Sequence, residues 1–420
     1  MNDASTTPEL FTWEFATDPY PAYAWLREHA PVHRTALPSG VEAWLVTRYA
    51  DARQALADQR LSKNPAHHDE PAHAKGKTGI PGERKAELMT HLLNIDPPDH
   101  TRLRRLVSKA FTPRRVAEFA PRVQELTDRL IDDIFEKQHS AEKGEADLIH
   151  EFAFPLPIYA ICDMLGVPRE DQDDFRDWAG MMIRHGGGPR GGVARSVKKM
   201  RGYLAELIHR KREEPGDDLI SGLIKASDHG EHLTENEAAA MAFILLFAGF
   251  ETTVNLIGNG MYALLRNPVQ RERLERSLAA GESELLATGV EELLRYDGPV
   301  ELATWRFATE PLTIGGQSIA AGDPVLVVLA AADRDPERFS DPDTLDLSRS
   351  DNQHLGYGHG IHYCLGAPLA RLEGQTALAT LLRRMPDVRL AGDPADLRWR
   401  GGLIMRGLRT LPVEFTLSGN

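Results

Sequence analysis

Residues His354 to Leu369 read HLGYGHGIHYCLGAPL. This stretch sets one cysteine, Cys364, at the mouth of a helix, behind a turn containing Gly356, Gly358 and Gly360. Pro368 suits a first helical turn, and Leu369, Leu372, Leu378, Leu381 and Leu382 supply an apolar face for the helix that follows. A sulfur at this place lies near unpaired backbone N–H groups and the positive end of a helix dipole, and both favour thiolate over thiol. Glycines without a Cβ let the backbone pass close to something large and flat. Three readings fit the loop: a buried structural cysteine, a zinc ligand acting with His354, His359 and His362, and a thiolate ligand to haem iron. Against zinc, no second Cys-x-x-Cys or His-x-x-x-His group completes a tetrahedral set.

Composition narrows the class. In 420 residues, a 42% hydrophobic and 26% charged content is that of a globular protein with a large core, and length alone would allow two or three domains. The net charge of −13 argues against a nucleic-acid binder but leaves room for a local basic patch. Cys162, in the apolar run FAFPLPIYAICDMLGVP, reads as a small buried side chain. With Cys364 as the other cysteine there is no disulfide framework, so a reducing cytoplasm is expected. The start, MNDASTTPELFTWEFATDPYP, has neither a basic n-region nor an apolar h-region, and the longest apolar run, Ala238 to Phe250, is shorter than a membrane span. A soluble, unanchored chain is expected.

Helix dominates the patterning. Tyr20 to His29 and Ala50 to Asp58 read as helices and Glu42 to Thr47 as a strand, followed by a polar segment, Ser62 to Arg84, without periodicity. Long loops of this kind tend to border ligand pockets. In DPPDHTRLRRLVSKAFTPRR, from Asp96, one helical face carries Leu103, Leu106, Val107 and Ala110, and another carries His100 and Arg104, four apart. Helices follow at about 113–138, 147–165, 170–184 and 193–213, the last two joined by the hinge-like HGGGPRGG. Thr234-Glu-Asn-Glu237 is a capping box that starts the longest helix, which runs to Pro268. Beyond it, helices at 269–278 and 283–297 alternate with short strands such as Leu312–Ile314 and Val325–Val328, too short and scattered for a doubly wound sheet.

The long helix contains Ala248-Gly-Phe-Glu-Thr252-Thr253, in which Glu251 follows thirteen apolar residues directly. A carboxylate there is costly unless paired or hydrated, and otherwise marks the helix's return to solvent. Glu292 and Arg295, three apart, form a common helical ion pair. The spacing Tyr357-x-x-Gly360-x-x-x-Cys364-x-Gly366, taken with Ala248–Thr253, Glu292–Arg295 and Pro336-Glu-Arg338-Phe339 in this order, resembles the signature of the cytochromes P450. The resemblance extends from DPYPAYAWLRE to about Arg406, and the run GPVELATWR is similar to the soluble bacterial polyketide- and macrolide-hydroxylating group.

The resemblance implies a mainly α fold in a single domain over 1–420, with a helical core at about 96–297 and 365–385. It implies a smaller β-containing region at about 30–60 and 300–330 plus the C-terminal segment. Haem b would lie between the long helix and the cysteine loop, with Cys364 as iron ligand, Tyr357 and Gly358 beside it, and Ala248 and Gly249 opposite. His100, Arg104, Arg306 and His362 would meet the haem carboxylates. Thr252 would hydrogen-bond and Glu251 relay protons, while Glu292, Arg295 and Arg338 would form a structural triad beneath the loop. Tyr357 stands where the family usually has phenylalanine, next to Gly356 where alanine is common. Its hydroxyl is expected to alter hydrogen bonding near the sulfur, with Gly356 making room for it.

The implied activity is insertion of one oxygen atom from O2 into a C–H bond of a bulky apolar metabolite, by hydroxylation or epoxidation. Electrons would come from NAD(P)H through a reductase and an iron–sulfur ferredoxin, to a monomer. Arg102, Arg105, Lys109, Arg114 and Arg115 form a basic cluster suited to that partner or to a solvated helix face. Substrate contacts are expected from Met89, Leu93, Met181, Met182, Ile244, Val300, Leu403 and Met405, with the helix–HGGGPRGG–helix unit as a lid. A haem-binding sensor or carrier without turnover is the alternative, and Glu251 with Thr252 argues against it, since a binder needs no proton relay.

Overall fold

A computed structural model describes residues 7–67, 91–138, 142–183, 192–228 and 230–417. The expected lid, HGGGPRGG, and most of the 62–84 segment lie outside these residues.

The helical region is built around Glu235–Arg266. Its capping box forms as the sequence predicts: the Thr234 N–H donates to Glu237 Oε2 at 2.8 Å, and the Glu237 N–H donates to Thr234 Oγ1 at 3.2 Å. Two of the four orphan N–H groups at the helix start are relevant to such a box, and Glu237 answers the dipole as well. The helix is apolar enough to cross a membrane, but most of its apolar window is buried inside the protein. It packs against Pro155–Leu165, Glu284–Asp297 and Ala367–Arg384, and its Phe250, Val254, Ile257 and Leu264 are all but inaccessible to solvent. Each such side chain contributes about 1.5–3 kcal/mol of apolar burial, which is why this helix, and no local preference, fixes the placement of its neighbours.

The expected single helix at 113–138 is broken into Pro113–Glu118 and Ala120–Glu136, and the 147–165 stretch into a π-helical turn, Ile149–Ala153, and Pro155–Leu165. Prolines at 121 and 155 account for the restarts, since each lacks an N–H and is tolerated only in a first turn.

The β region is a five-stranded sheet in the order Val32–Ala36, Glu42–Val46, Pro324–Val327, Arg306–Ala308, Leu61–Ser62. Glu42–Val46 and Pro324–Val327 pair in parallel and the other neighbours antiparallel. A second sheet joins Arg389–Leu390, Pro412–Thr416 and Lys143–Asp147, so the C-terminal strand closes onto the helical region. This sheet places Arg306 on the wall of the cavity described next.

Candidate active site

The cysteine loop turns as its glycines require: Gly358 and Gly360 have φ of +74° and +75°, where a side chain would be strained. Gly356 has a different reason. A Cβ there would stand 3.0 Å from His354 Nδ1, so its missing methyl accommodates His354, and not the Tyr357 hydroxyl as expected. The Cys364 N–H donates to the Tyr357 carbonyl at 2.9 Å, and the helix Ala367–Arg384 begins with Gly366 as its cap. Burial raises the Cys364 thiol above its ordinary pKa, while the N–H groups of Gly366 and Ala367 and the charges of Arg104 and Arg371 pull it down. Burial wins. The helix start thus favours the thiolate as expected but does not by itself outweigh burial, and a coordinated cation would complete the deprotonation.

The Tyr357 ring lies under the Arg371 guanidinium at 4.5 Å, and Arg371 is held by Glu291 through bonds of 2.7 and 2.8 Å. The Tyr357 hydroxyl is buried and hydrogen-bonds to nothing, and burial and then Glu291 keep it protonated. Tyr357 therefore acts through its ring, and the expected hydrogen bond beside the sulfur is not made. Among the described residues no three His, Cys, Asp or Glu side chains converge as a metal-ligand set, which removes the zinc reading.

A cavity of about 1800 Å³ separates this loop from the long helix, and Cys364, Tyr357 and Gly358 line it together with Ala248, Gly249, Glu251 and Thr252. The volume exceeds that of an ordinary small-ligand pocket, about 300–1,000 Å³, and so suits a large planar group plus a substrate. A Cβ on Gly249 would meet only Ile161, at 3.8 Å, so no protein atom demands glycine there. The Thr252 hydroxyl donates to the Ala248 carbonyl at 2.8 Å, leaving its oxygen lone pairs to the cavity.

Glu251 is buried, and its charge acts on Arg400, whose own pKa burial lowers. One helical turn on, Asn255 packs against Gly407, where a Cβ would lie 2.0 Å from Asn255 Oδ1. Both amide atoms of Asn255 and Nη1 of Arg400 are buried without partners. Such groups each cost about 1–3 kcal/mol unless water reaches them, so this seam beside Glu251 is a natural place for ordered water. Neither Asn255 nor Arg400 was legible as a site residue, since nothing in their sequence neighbourhoods marks them.

Glu373 is a further buried carboxyl on the cavity wall, hydrogen-bonded with Thr253. Burial pushes its pKa up to about 8, from 4.5. Between these values the unfolded chain binds fewer protons at this site than the folded one, so stability falls as pH rises. Glu373→Gln should therefore unfold at nearly the parent temperature at pH 4.5 but be more stable by about 1–3 kcal/mol at pH 8. Thermal unfolding at the two pH values checks this, and an equal effect at both would exclude the charged-state penalty.

The basic groups meant for haem carboxylates come together from separate elements. His100 and His362 have ring centroids 4.4 Å apart, and His100 Nε2 is buried without a partner. Burial first, then Lys63, His100 and Arg306, push His362 down to about 2, and burial lowers Arg306 to about 10. Arg104 lines the same cavity. Lys63, which the sequence did not single out, is buried and donates to the Thr304 and Trp305 carbonyls at 3.0 and 2.9 Å and to Thr304 Oγ1. Asp96 offsets part of this charge. Gathered buried cations with an orphaned imidazole nitrogen call for anions, and the two carboxylates of haem supply them. The residues present fit the group.

Several expectations are corrected. Arg338 does not join Glu292; it donates to Asp351 at 2.9 and 2.6 Å. Arg349 takes its place, with Nε 3.2 and 3.1 Å from the Glu292 oxygens, beside Arg295 at 2.8 Å through both Nε and Nη2. Leu93, Ile244, Val300, Leu403 and Met405 line the cavity, but Met181 lines a separate polar depression with Asp173, Asp177 and Arg129. Its helix turns it outward. Met89 and the Met182 side chain lie outside the described residues. In the basic cluster, Arg102 binds Glu237, Arg114 donates to Glu118 at 2.8 Å, and Arg115 donates to Asp217 at 2.8 Å. Arg105 lies 4.0 Å from Glu231. Much of that charge is therefore locally neutralised.

Known proteins share these features. The family model described as Cytochrome P450 matches residues 158–386. The chain is 46% identical to a cytochrome P450 designated 107B1 from Saccharopolyspora erythraea, over 97% of this chain and 98% of that one. It is 47% identical to the cytochrome P450 monooxygenase PikC of Streptomyces venezuelae, over 96% and 92%. The solved structure of PksS, a cytochrome P450 of the bacillaene polyketide synthase of Bacillus subtilis, superposes with a TM-score of 0.87 at 39% identity, covering 97% of this chain and 99% of that one. A half-buried cysteine behind a two-glycine turn, faced across one cavity by an acid and an alcohol, accompanies that similarity over nearly the whole length: the chain belongs to the cytochrome P450 family.

Proposed function

We propose that this chain is a cytoplasmic, monomeric haem-thiolate monooxygenase that inserts one oxygen atom from O2 into a C–H bond of a bulky apolar secondary metabolite of the polyketide or macrolide kind. Hydroxylation and epoxidation both fit such an oxidant. The observation that carries the reading is the pairing, across one cavity, of Cys364 with Glu251 and Thr252. The description of PksS as a polyketide synthase cytochrome P450 supports the substrate class.

Bound haem supplies the oxygen-activating redox chemistry, with the Cys364 sulfur as electron-donating ligand. His100, Arg104, Arg306 and His362 bind its carboxylates, with Lys63 fixing the Thr304–Arg306 backbone next to them. Thr252 presents its hydroxyl oxygen to the cavity. Glu251 takes protons from the water seam beside Asn255 and Arg400 and passes them towards Thr252. Arg400 lies near enough for its charge to interact with that of Glu251. Ile244, Val300 and Leu403 exclude bulk water and orient the apolar substrate. Electrons arrive from NAD(P)H through a reductase and a ferredoxin, for which Arg105 and Lys109 supply part of the docking charge.

The test is spectral and then kinetic. The reduced protein with carbon monoxide should give the red-shifted Soret band of thiolate ligation, and candidate macrolides should shift the ferric spin state. With a ferredoxin system, Thr252→Ala and Glu251→Gln should each lower product formed per electron consumed by about 10²-fold. Unchanged coupling in both variants would remove the relay.

A further inference from the structure

The cysteine loop is braced by its own backbone and by the Glu292 cluster. The Gly358 N–H donates to the Leu355 carbonyl at 2.6 Å, the Leu355 N–H to Asp333 Oδ1 at 2.6 Å, and the Cys364 N–H to the Tyr357 carbonyl at 2.9 Å. Glu292, bound to Arg295 and Arg349, carries the segment that leads in. A second ion pair nevertheless lies against the same loop. Arg371 donates through Nε and Nη2 to Glu291 at 2.7 and 2.8 Å. The reaction described above makes no use of this pair.

Its geometry is fixed from several sides. The Arg371 guanidinium stands 4.5 Å over the Tyr357 ring, and its Nη2 lies 3.5 Å from the Tyr363 hydroxyl. Both tyrosines are joined directly to Cys364, Tyr363 by a peptide bond and Tyr357 through the Cys364 N–H. On the other side, His354 Nδ1 accepts the Gly356 N–H at 3.1 Å, which leaves the proton on Nε2 to donate to Glu291 Oε2 at 3.2 Å.

The charges of this pair are permanent. Burial opposes ionisation of Glu291, but the bonds from Arg371 and His354 hold its carboxyl down at about 2. An arginine is charged at any working pH. The pair is therefore a fixed dipole with its positive end on the two tyrosines. That charge is felt at the sulfur, where Arg371 is among the groups that oppose the effect of burial. Reduction adds one negative charge at a bound iron, so a fixed cation beside its ligand favours the reduced state.

We propose that Arg371 and Glu291 are positioning residues that set the reduction potential of the bound haem. Arg371 raises the potential through its charge over Tyr357, and Glu291 orients Arg371 while offsetting part of that charge. This rests on the reading of Cys364 as the iron ligand. The Arg371 side chain is 34% exposed, so solvent screens part of its field and the effect is a moderate one.

The haem-loaded enzyme would be reduced stepwise with dithionite and mediator dyes, and the midpoint read from the Soret band. Ferredoxin is left out, so docking plays no part. Arg371→Gln should lower the ratio of reduced to oxidised haem at a fixed potential by about threefold to tenfold, a downward shift of about 30 to 60 mV. Arg371→Lys, which keeps the charge and loses the fork, should shift less. In Glu291→Gln the amide oxygen still accepts from Arg371 while the negative charge is gone, so the midpoint should rise. The double variant E291Q/R371Q should fall between the two single variants. A merely bracing role predicts shifts of one sign in every variant, since each would loosen the loop. Shifts of the same sign in Arg371→Gln and Glu291→Gln, or an unmoved midpoint in Arg371→Gln, overturn the proposal. The carbon monoxide band is recorded on the same samples. Its absence in the parent would remove Cys364 as the ligand and the proposal with it, whereas an intact band with unmoved midpoints overturns only the role of Arg371 and Glu291.

Discussion

Replacing Cys364 with alanine is expected to abolish the red-shifted carbon monoxide band and to lower turnover by more than about 10³-fold, while Cys162→Ala changes neither. The sulfurs differ in what surrounds them. Cys162 is fully buried in the helix Pro155–Leu165, and burial, with the Asp163 charge adding to it, drives its thiol far above the ordinary range. Cys364 is also pushed up by burial, but the N–H groups of Gly366 and Ala367 and the charges of Arg104 and Arg371 oppose this, and its sulfur faces the cavity. A bound iron cation at that point would tip the balance to thiolate, and Cys364 would be the residue that holds it as an electron-donating ligand. The stated loss corresponds to about 4 kcal/mol of barrier, well within what removal of an electron-donating ligand can do. A Cys364→Ala protein that kept the band would show that another group holds the iron.

The second large effect separates two arginines. Arg349→Leu is expected to cost about 3 kcal/mol and to lower haem retention, whereas Arg338→Leu costs a fraction of that. Glu292 and Arg295 have no solvent-accessible side-chain surface, and Arg349 is only 10% exposed. Glu292 also accepts from the Asp346 N–H at 3.0 Å and from Asn352 at 3.1 Å, and Arg295 donates to the carbonyls of Asp333, Pro342 and Thr344 at 2.9, 2.7 and 3.2 Å. The segment leading into the cysteine loop hangs from this one cluster. Removing Arg349 leaves a buried carboxylate undercompensated, the situation in which breaking an internal ion pair costs most. Arg338 instead pairs with Asp351, which is 73% exposed, and solvent screens most of that interaction. Urea unfolding with haem content measured in parallel checks the contrast; equal losses would contradict the pairing.

These two cases differ in how they could be read from sequence. The glycine turn, cysteine and helix start of the loop are local and legible, but the role of Cys364 was read only through the resemblance that the loop carries together with Ala248–Thr253, Glu292–Arg295 and Pro336–Phe339. The third member of the buried triad was not legible. Arg338 and Arg349 both lie within reach of Glu292 along the chain, and which of them turns inward depends on how residues 333–352 wrap. Similarly, Met181 looked like a pocket residue by type, yet its helix turns it to an outer depression. At the Cys364 thiol the helix end pulls the pKa down as the sequence suggests, but the size of the opposing desolvation depends on the tertiary packing.

By itself the sequence determined the helical class, the capped long helix Glu235–Arg266, the cysteine loop and the acid–alcohol pair. Periodicity and capping suffice for the first two, whereas the cysteine loop and the acid–alcohol pair are short local motifs whose roles the family resemblance implies. The tertiary structure alone decided the cation cluster that includes Lys63, the buried unpartnered polar atoms of Asn255 and Arg400, the buried Glu373 whose pKa burial raises, and Arg349 in place of Arg338. Those depend on side chains hundreds of residues apart sharing one dry interior, where desolvation and pairing are settled by three-dimensional proximity and not by order along the chain.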